Sequence, residues 1–194
     1  MKQYKANIRK VLDKATETEA IDGAAWYVVA KHEAKKIADN YQLPLHIVVG
    51  VIAALSPTNK WERNLVDADK LCQAFVSGGY TDEVKVCTYK TMKEKALLIL
   101  EDSADYEATK ATLKGPKITD FYCCILGENT CVIDGHAWCI ANNDRRSMQE
   151  VPNIGKGLRE ALQQAYRAVG KERGIPAHVV QAITWVTWKR IHNV

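Results

Sequence analysis

Residues 113–143 read LKGPKITDFYCCILGENTCVIDGHAWCIANN and hold the most informative pattern in the chain. Lys114-Gly115-Pro116 interrupts one run of apolar periodicity, a second run follows it, and a polar turn then leads to a third run that begins near Asp134. Gly-Pro is a typical turn signal, and an aspartate just before an apolar run is a typical helix start. The stretch therefore predicts helix, tight turn, helix, loop and helix, in that order.

The rest of the chain has the same helical periodicity. Residues 45–56, LHIVVGVIAALS, are almost entirely apolar and predict a buried central helix. Alternating strand-like runs with hairpin turns are missing, so we predict an all-α fold. We also predict a first helix over 2–15 and a second over 23–41, with Asp22 as the N-cap of the second.

Composition and charge limit the class of protein. A chain of 194 residues with 47% hydrophobic residues can bury the core of a single domain. The charged N-terminus MKQYKANIRKVLDK lacks the apolar stretch of a secretion signal, so we expect a cytoplasmic protein that does not enter a membrane. The net charge of +4 permits nucleic-acid binding without requiring it.

The cysteines do not indicate a metal site. None of the six stands in a C-x-x-C pair that has a second pair, or a histidine pair, nearby. We expect no metal, no iron–sulfur cluster and no cofactor, and we expect the clustered cysteines to be buried free thiols in a reducing compartment. The six are Cys72, Cys87, Cys123, Cys124, Cys131 and Cys139.

Residues 113–143 resemble the active-site region of the helix-hairpin-helix DNA glycosylases. In that family a leucine, a glycine-bearing hairpin and often a lysine precede a helix, and a loop then leads to V-D-x-H-V. Here Leu113, Gly115 and Lys117 are followed by Ile133-Asp134-Gly135-His136-Ala137 in residues 133–137. The separation between the lysine and the aspartate is close to that of the family.

Three flanking segments extend the resemblance. AALSPTNKWERNL, residues 53–65, is similar to the family's L-S-x-Q/N-x element, and MKEKALLIL, residues 92–100, is similar to its N-K-A-x-x-I helix. QAITWVTWKR, residues 181–190, resembles the end of phage and bacterial proteins of this superfamily. The resemblance implies a divergent member with two lobes, a helical barrel over 44–142 and a second lobe formed by 1–43 and 143–194. The cleft between the lobes would hold the base.

The resemblance also implies roles for particular side chains. Asp134 would be the carboxylate that stabilises the oxocarbenium charge or activates water, and Lys117 would be the amine that forms a Schiff base, with Lys114 as a weaker candidate. Two further roles are implied. Residues of the hairpin and of the polar wedge after the central helix would contact DNA, and other residues would line the base pocket or support the residues that line it. The DNA-contacting residues are Lys114, Gly115, Thr58, Asn59 and Lys60, with Asn59 as the wedge, and the pocket residues are His136 and Trp61.

Each of these residues also has a purely structural interpretation. Asp134 and Asn59 would be helix caps, since both residue types are preferred there. Lys117 would be a solvated lysine in a first helical turn, and His136 and Trp61 would pack against their neighbours.

The hairpin itself leaves the function open. The family sequence L-P-G-V-G-x-K is two residues longer than LKGPK at 113–117. Pro116 also has no backbone N–H that could donate a hydrogen bond to a phosphate. The leading hypothesis is a DNA glycosylase. The alternatives are a catalytically inactive DNA-binding protein on the same scaffold and a helical protein-interaction module that does not bind DNA.

Overall fold

A computed structural model describes all 194 residues and confirms the all-α class, since it contains ten α-helices, one short 3-10 turn and no strand. The short turn is Thr81–Glu83. The helices are α1 (Lys2–Leu12), α2 (Glu17–Tyr41), α3 (Leu45–Leu55), α4 (Trp61–Val76), α5 (Lys90–Asp102), α6 (Tyr106–Leu113), α7 (Pro116–Leu126), α8 (Gly135–Asn142), α9 (Lys156–Arg173) and α10 (Ala177–His192).

The chain divides into two compact units. Unit 1 contains residues 1–28 and 127–194, and unit 2 contains residues 29–126. The boundaries differ from those of the predicted lobes at two places, because 29–43 lies in unit 2 and 127–142 lies in unit 1. The second difference has a packing reason: α8 contacts α1 and α10, the helices from the two ends of the chain.

Helix α3 forms the core of unit 2, as its apolar sequence predicts. Every residue from Val48 to Leu55 is buried, and the helix packs against α4, α5, α6 and α7. Gly50 allows this close packing, because a Cβ there would lie 2.4 Å from Thr109 Cγ2.

No single helix is both long and apolar enough to cross a membrane. The consecutive helices α2 and α3 reach the required length and apolar composition only when they are taken together.

Unit 1 is built around contacts among α1, α8, α9 and α10. Ile8, Ile140 and Tyr166 are completely buried in its core. The first half of α2 joins this unit through the buried Tyr27, whose ring lies edge-on to His178, with 5.3 Å between the ring centroids. The N-terminal and C-terminal segments therefore share one hydrophobic core.

The predicted start of α2 is wrong. The helix begins at Glu17 and not at Gly23, and Asp22 lies inside it. A capping box fixes the true start: Thr16 Oγ1 accepts a hydrogen bond from the Glu19 amide, and Glu19 Oε2 accepts one from the Thr16 amide. These reciprocal bonds satisfy two amides that the first helical turn cannot bond internally.

Glu19 is expected to make the stability of the protein depend on acid pH. Its hydrogen bonds with Arg190 and Thr16 lower the pKa of its carboxyl from 4.5 to about 2. A lowered folded-state pKa contributes stability above pH 4.5 that is lost as the pH falls towards 2. Because Arg190 is half-exposed, we expect a contribution of about 2 kcal/mol, below the full linkage value.

The measurement is urea unfolding of the wild type and of Glu19→Gln between pH 7 and pH 2.5. The wild type should be the more stable at pH 7, and the two curves should converge as the pH falls. A difference that stays constant over the whole range would show that the charge of Glu19 is not its source.

Candidate active site

Asp134 is the N-cap residue of α8, which is the capping role that its sequence position allows. Its backbone is extended, with φ −103° and ψ −172°, and its Oδ1 accepts a hydrogen bond of 2.9 Å from the Ala137 amide. That amide is the one donor to the carboxylate, so Oδ2 accepts no hydrogen bond from the protein, and the residue is half-buried. The partial positive charge of the helix N-terminus stabilises a negative charge at this position. Capping and catalysis are therefore compatible in Asp134.

Helix α9 holds the segment that precedes Asp134. Gln163 Nε2 donates to the Cys131 carbonyl at 3.1 Å, and Arg159 Nη1 donates to the Ile133 carbonyl at 3.0 Å. No sequence motif marks α9 for this role, because the paired residues are 32 and 26 positions apart in the chain. The aspartate thus follows a backbone that is fixed by side chains from a distant helix.

Two further titratable side chains in or beside α8, those of Cys139 and Tyr166, stay neutral at pH 7. Burial raises the pKa of the Cys139 thiol and raises that of the Tyr166 hydroxyl well above its ordinary value. The Tyr166 hydroxyl donates to the Ala137 carbonyl at 3.4 Å, which is a structural use of that group. Within α8 and its cap, Asp134 and His136 are the side chains suited to act as acid or base.

The two predicted pocket residues lie in different units, and each packs edge-on against an aromatic ring. In unit 1, the His136 and Trp185 ring centroids are 6.5 Å apart, and Lys189 Nζ lies 4.4 Å from the Trp185 centroid. In unit 2, the Trp61 and Phe121 centroids are 6.3 Å apart. These contacts agree with the packing interpretation, but the buried Nδ1 of His136 has no hydrogen-bond partner.

The predicted hairpin is a two-residue turn between α6, which ends at Leu113, and α7, which begins at Pro116. Lys114 occupies positive φ, at 56°, and is followed by Gly115. Lys117 lies in the first turn of α7, and both lysines are exposed. Their side chains are therefore accessible from solvent. Pro116 takes the N1 position, where its missing N–H has no helical cost.

A further lysine near this turn was missed by the sequence analysis. Lys95 Nζ donates to the Leu113 carbonyl. Its partial burial, together with the positive charge of Lys114, lowers the pKa of Lys95. Both lysines line a shallow, open groove of about 480 Å³ between α5 and α6. Lys95 lies in the segment that resembles the family's N-K-A-x-x-I helix, but no role was predicted for it, because its bond to Leu113 joins residues 18 positions apart.

The loop after α3 presents only some of its predicted DNA-contacting residues to solvent. Thr58, at φ +57°, and Lys60 are exposed. Asn59 is turned inward, where its Nδ2 donates to the Leu55 carbonyl at 3.3 Å and to Asp67 Oδ2 at 3.1 Å. To act as the wedge, Asn59 would have to give up both bonds. It is not the N-cap of α4, which is Lys60, but its bond to the Leu55 carbonyl satisfies the last residue of α3.

Asp67 is a buried carboxylate that the sequence analysis did not single out. It is fully buried and accepts hydrogen bonds from Arg63 Nε at 2.6 Å and from the Cys87 amide at 2.7 Å, besides the one from Asn59. The carboxylate thus connects α4 with the loop after α3 and the loop before α5. All of its contacts are structural.

The net charge of the protein lies in unit 1. That unit contains 14 Lys and Arg against 10 Asp and Glu, whereas unit 2 contains 13 of each. The unit that carries Asp134 is therefore the positive one, which favours association with a polyanion there.

No group of three or more His, Cys, Asp or Glu side chains is arranged to hold a metal ion. All six cysteines are free thiols, and five of them are buried, with Cys87 exposed.

Comparison with known proteins identifies a family but no function. No curated protein and no solved structure matches the chain. Residues 1–192 match a family of unknown function (DUF7178), and the chain belongs to that family.

Proposed function

We propose that this chain is a DNA glycosylase-like enzyme that excises a modified or damaged base from DNA, with Asp134 as its essential carboxylate. The observation that carries the proposal is the order of elements from α6 to α8: a helix, a two-residue turn, a helix, an extended segment, and a helix capped by Asp134. This is the order that the resemblance to helix-hairpin-helix glycosylases implies. We extend the proposal to the two-lobed fold of that superfamily.

The placement of Asp134 suits hydrolysis of an N-glycosidic bond. Water attacks C1′ of the sugar, the electron pair of the C1′–N bond goes to the departing base, and the base takes up a proton. Positive charge develops on the sugar during this step, and a fixed carboxylate stabilises it or accepts the proton of the attacking water. The Ala137 amide fixes Oδ1 and leaves Oδ2 for this task.

Lys117 is the proposed nucleophile for a second activity, strand scission. Its amine would attack C1′ as the base departs with the electron pair of the C1′–N bond, and opening of the C1′–O4′ bond would give an iminium ion between C1′ and the lysine. Loss of a C2′ proton would then expel the 3′ phosphate, which breaks the strand, and water would hydrolyse the imine and release the lysine. Lys117 is exposed in the first turn of α7, so its amine is accessible to a substrate. The positive charge of unit 1 supports DNA as the partner.

The test is base release from duplexes that carry a panel of damaged bases and phage-type modified bases, followed by mass spectrometry. We expect the wild type to release free base from at least one duplex. Borohydride should trap a covalent complex with that duplex, and the trapped yield should fall about tenfold or more in Lys117→Gln. The controls are Lys114→Gln and Lys95→Gln, and loss of trapping in one of these alone would move the nucleophile there.

One observation favours a second candidate function, a DNA-binding protein without base excision. The hairpin turn is short, and Pro116 has no N–H for a phosphate. This candidate predicts DNA binding that weakens steeply with salt and is unchanged in Asp134→Asn, with no base released from any duplex. Absence of salt-dependent binding would exclude both candidates and favour the protein-interaction module.

A further inference from the structure

Residues 130–133 are buried although they form no regular secondary structure. A buried extended segment without a neighbouring strand leaves its carbonyl oxygens without partners, which costs about 1–3 kcal/mol for each unsatisfied group. Donors must therefore come from side chains.

Helix α9 supplies these donors in a regular series. Arg167, Gln163 and Arg159 are spaced four residues apart, and they donate in turn to the carbonyls of residues 129, 131 and 133. Four helical residues rise about 6 Å, and two extended residues span about 6.7 Å, so the two repeats match closely. The segment thus runs antiparallel to α9, which bonds the carbonyls of residues 129, 131 and 133.

Arg159 makes the last bond of the series, at the peptide that joins Ile133 to Asp134. That bond fixes the backbone immediately before the capping carboxylate. The bond from Arg159 measures 3.0 Å and is partly buried, whereas the corresponding bond from Arg167 to Asn129 measures 3.5 Å and is exposed. Hydrogen bonds from a charged donor are the stronger kind, and the shorter and more buried of the two holds its acceptor more firmly.

We propose that Arg159 is a positioning residue for Asp134: it holds the peptide before the carboxylate and so keeps the carboxylate aligned for base excision. This inference rests on the proposed glycosylase function. Small losses of alignment reduce the rate of the chemical step strongly, while they leave the contacts that bind DNA in place.

The first arm of the experiment needs no activity. The Ala137 amide is a reporter of the Asp134 position because its hydrogen-bond acceptor is Asp134 Oδ1. We expect its hydrogen-exchange rate, measured by NMR, to rise about tenfold in Arg159→Gln and to stay unchanged in the matched control Arg167→Gln. An unchanged rate in Arg159→Gln would overturn the proposal. Arg159→Lys, which keeps a charged donor, should restore part of the protection.

The second arm measures single-turnover base release and DNA affinity. We expect Arg159→Gln to lower the rate of the chemical step about tenfold with a DNA affinity within about twofold of the wild type, and Arg167→Gln to change neither. Faster exchange at Ala137 without a slower chemical step, in an active wild type, would also overturn the proposal. A wild type that releases no base would refute the proposed glycosylase function, and the exchange arm would then decide by itself whether Arg159 positions Asp134.

Discussion

Asp134→Asn is expected to slow base release by about 100-fold or more, the scale observed when one preorganised electrostatic group is removed. The substitution removes the negative charge that would face the oxocarbenium ion. It keeps an oxygen that can accept the Ala137 amide, so the cap of α8 remains. DNA affinity should stay close to that of the wild type.

Asp105 provides a matched control for this prediction. It is the N-cap of α6 and accepts the Ala108 amide at 2.9 Å, the same distance as at Asp134. Asp105→Asn and Asp134→Asn should therefore change the unfolding temperature by similar, small amounts. Only the second should affect base release.

Two results would contradict the catalytic role. Base release that is unchanged in Asp134→Asn would reduce the residue to a helix cap. Equal loss of activity in both asparagine variants would attribute the effect to a general loss of helix stability. Single-turnover assays with the enzyme in saturating excess over the DNA separate these outcomes from changes in binding.

Gly23→Ala is expected to destabilise the protein by about 3 kcal/mol, the upper end of the usual cost of overpacking. A Cβ at Gly23 would lie 2.6 Å from Ile183 Cα and 2.7 Å from Ile183 N, so α2 and α10 would have to move apart. Helix propensity alone predicts the opposite sign, because alanine is favoured over glycine in a helix by about 0.5–1 kcal/mol. The expected fall in the unfolding temperature is about 6–12 °C.

Gly157→Ala is the matched control for Gly23→Ala. Gly157 lies in the first turn of α9, and nothing is within 4 Å of the position that its Cβ would take. This substitution should leave stability unchanged or raise it by up to about 1 kcal/mol. Calorimetry of the three proteins is sufficient, and a Gly23→Ala variant as stable as the wild type would show that the contact between α2 and α10 adjusts at little cost.

The helices that the sequence predicted well are those with strong local signals. The apolar run of α3 and the aspartate that caps α8 can each be recognised within a single short stretch of the chain. The start of α2 was missed although its signal is equally local, because Asp22 was taken as the cap and the Thr16 to Glu19 capping box was overlooked.

The candidate site was predicted only in part, because some of its contacts join residues that are far apart in the sequence. Asp134, Lys114 and Lys117 stand in a contiguous motif, and a short stretch of sequence is sufficient to find them. Lys95 lies in another helix, and its hydrogen bond to the hairpin depends on how α5 packs beside α6. Arg159 is likewise outside the motif.

The sequence by itself determined the all-α class, most of the helices, a tight turn near 114–116 and an aspartate at the start of a later helix, since periodicity and capping act between neighbouring residues. Only the tertiary structure decided that residues 127–142 belong with the two ends of the chain, that Asn59 faces inward to Asp67, and that α9 holds the backbone before Asp134. These contacts join residues 8 or 26 positions apart, or helices from opposite ends of the chain. Their geometry is set by the packing of whole helices, which short-range sequence patterns do not encode.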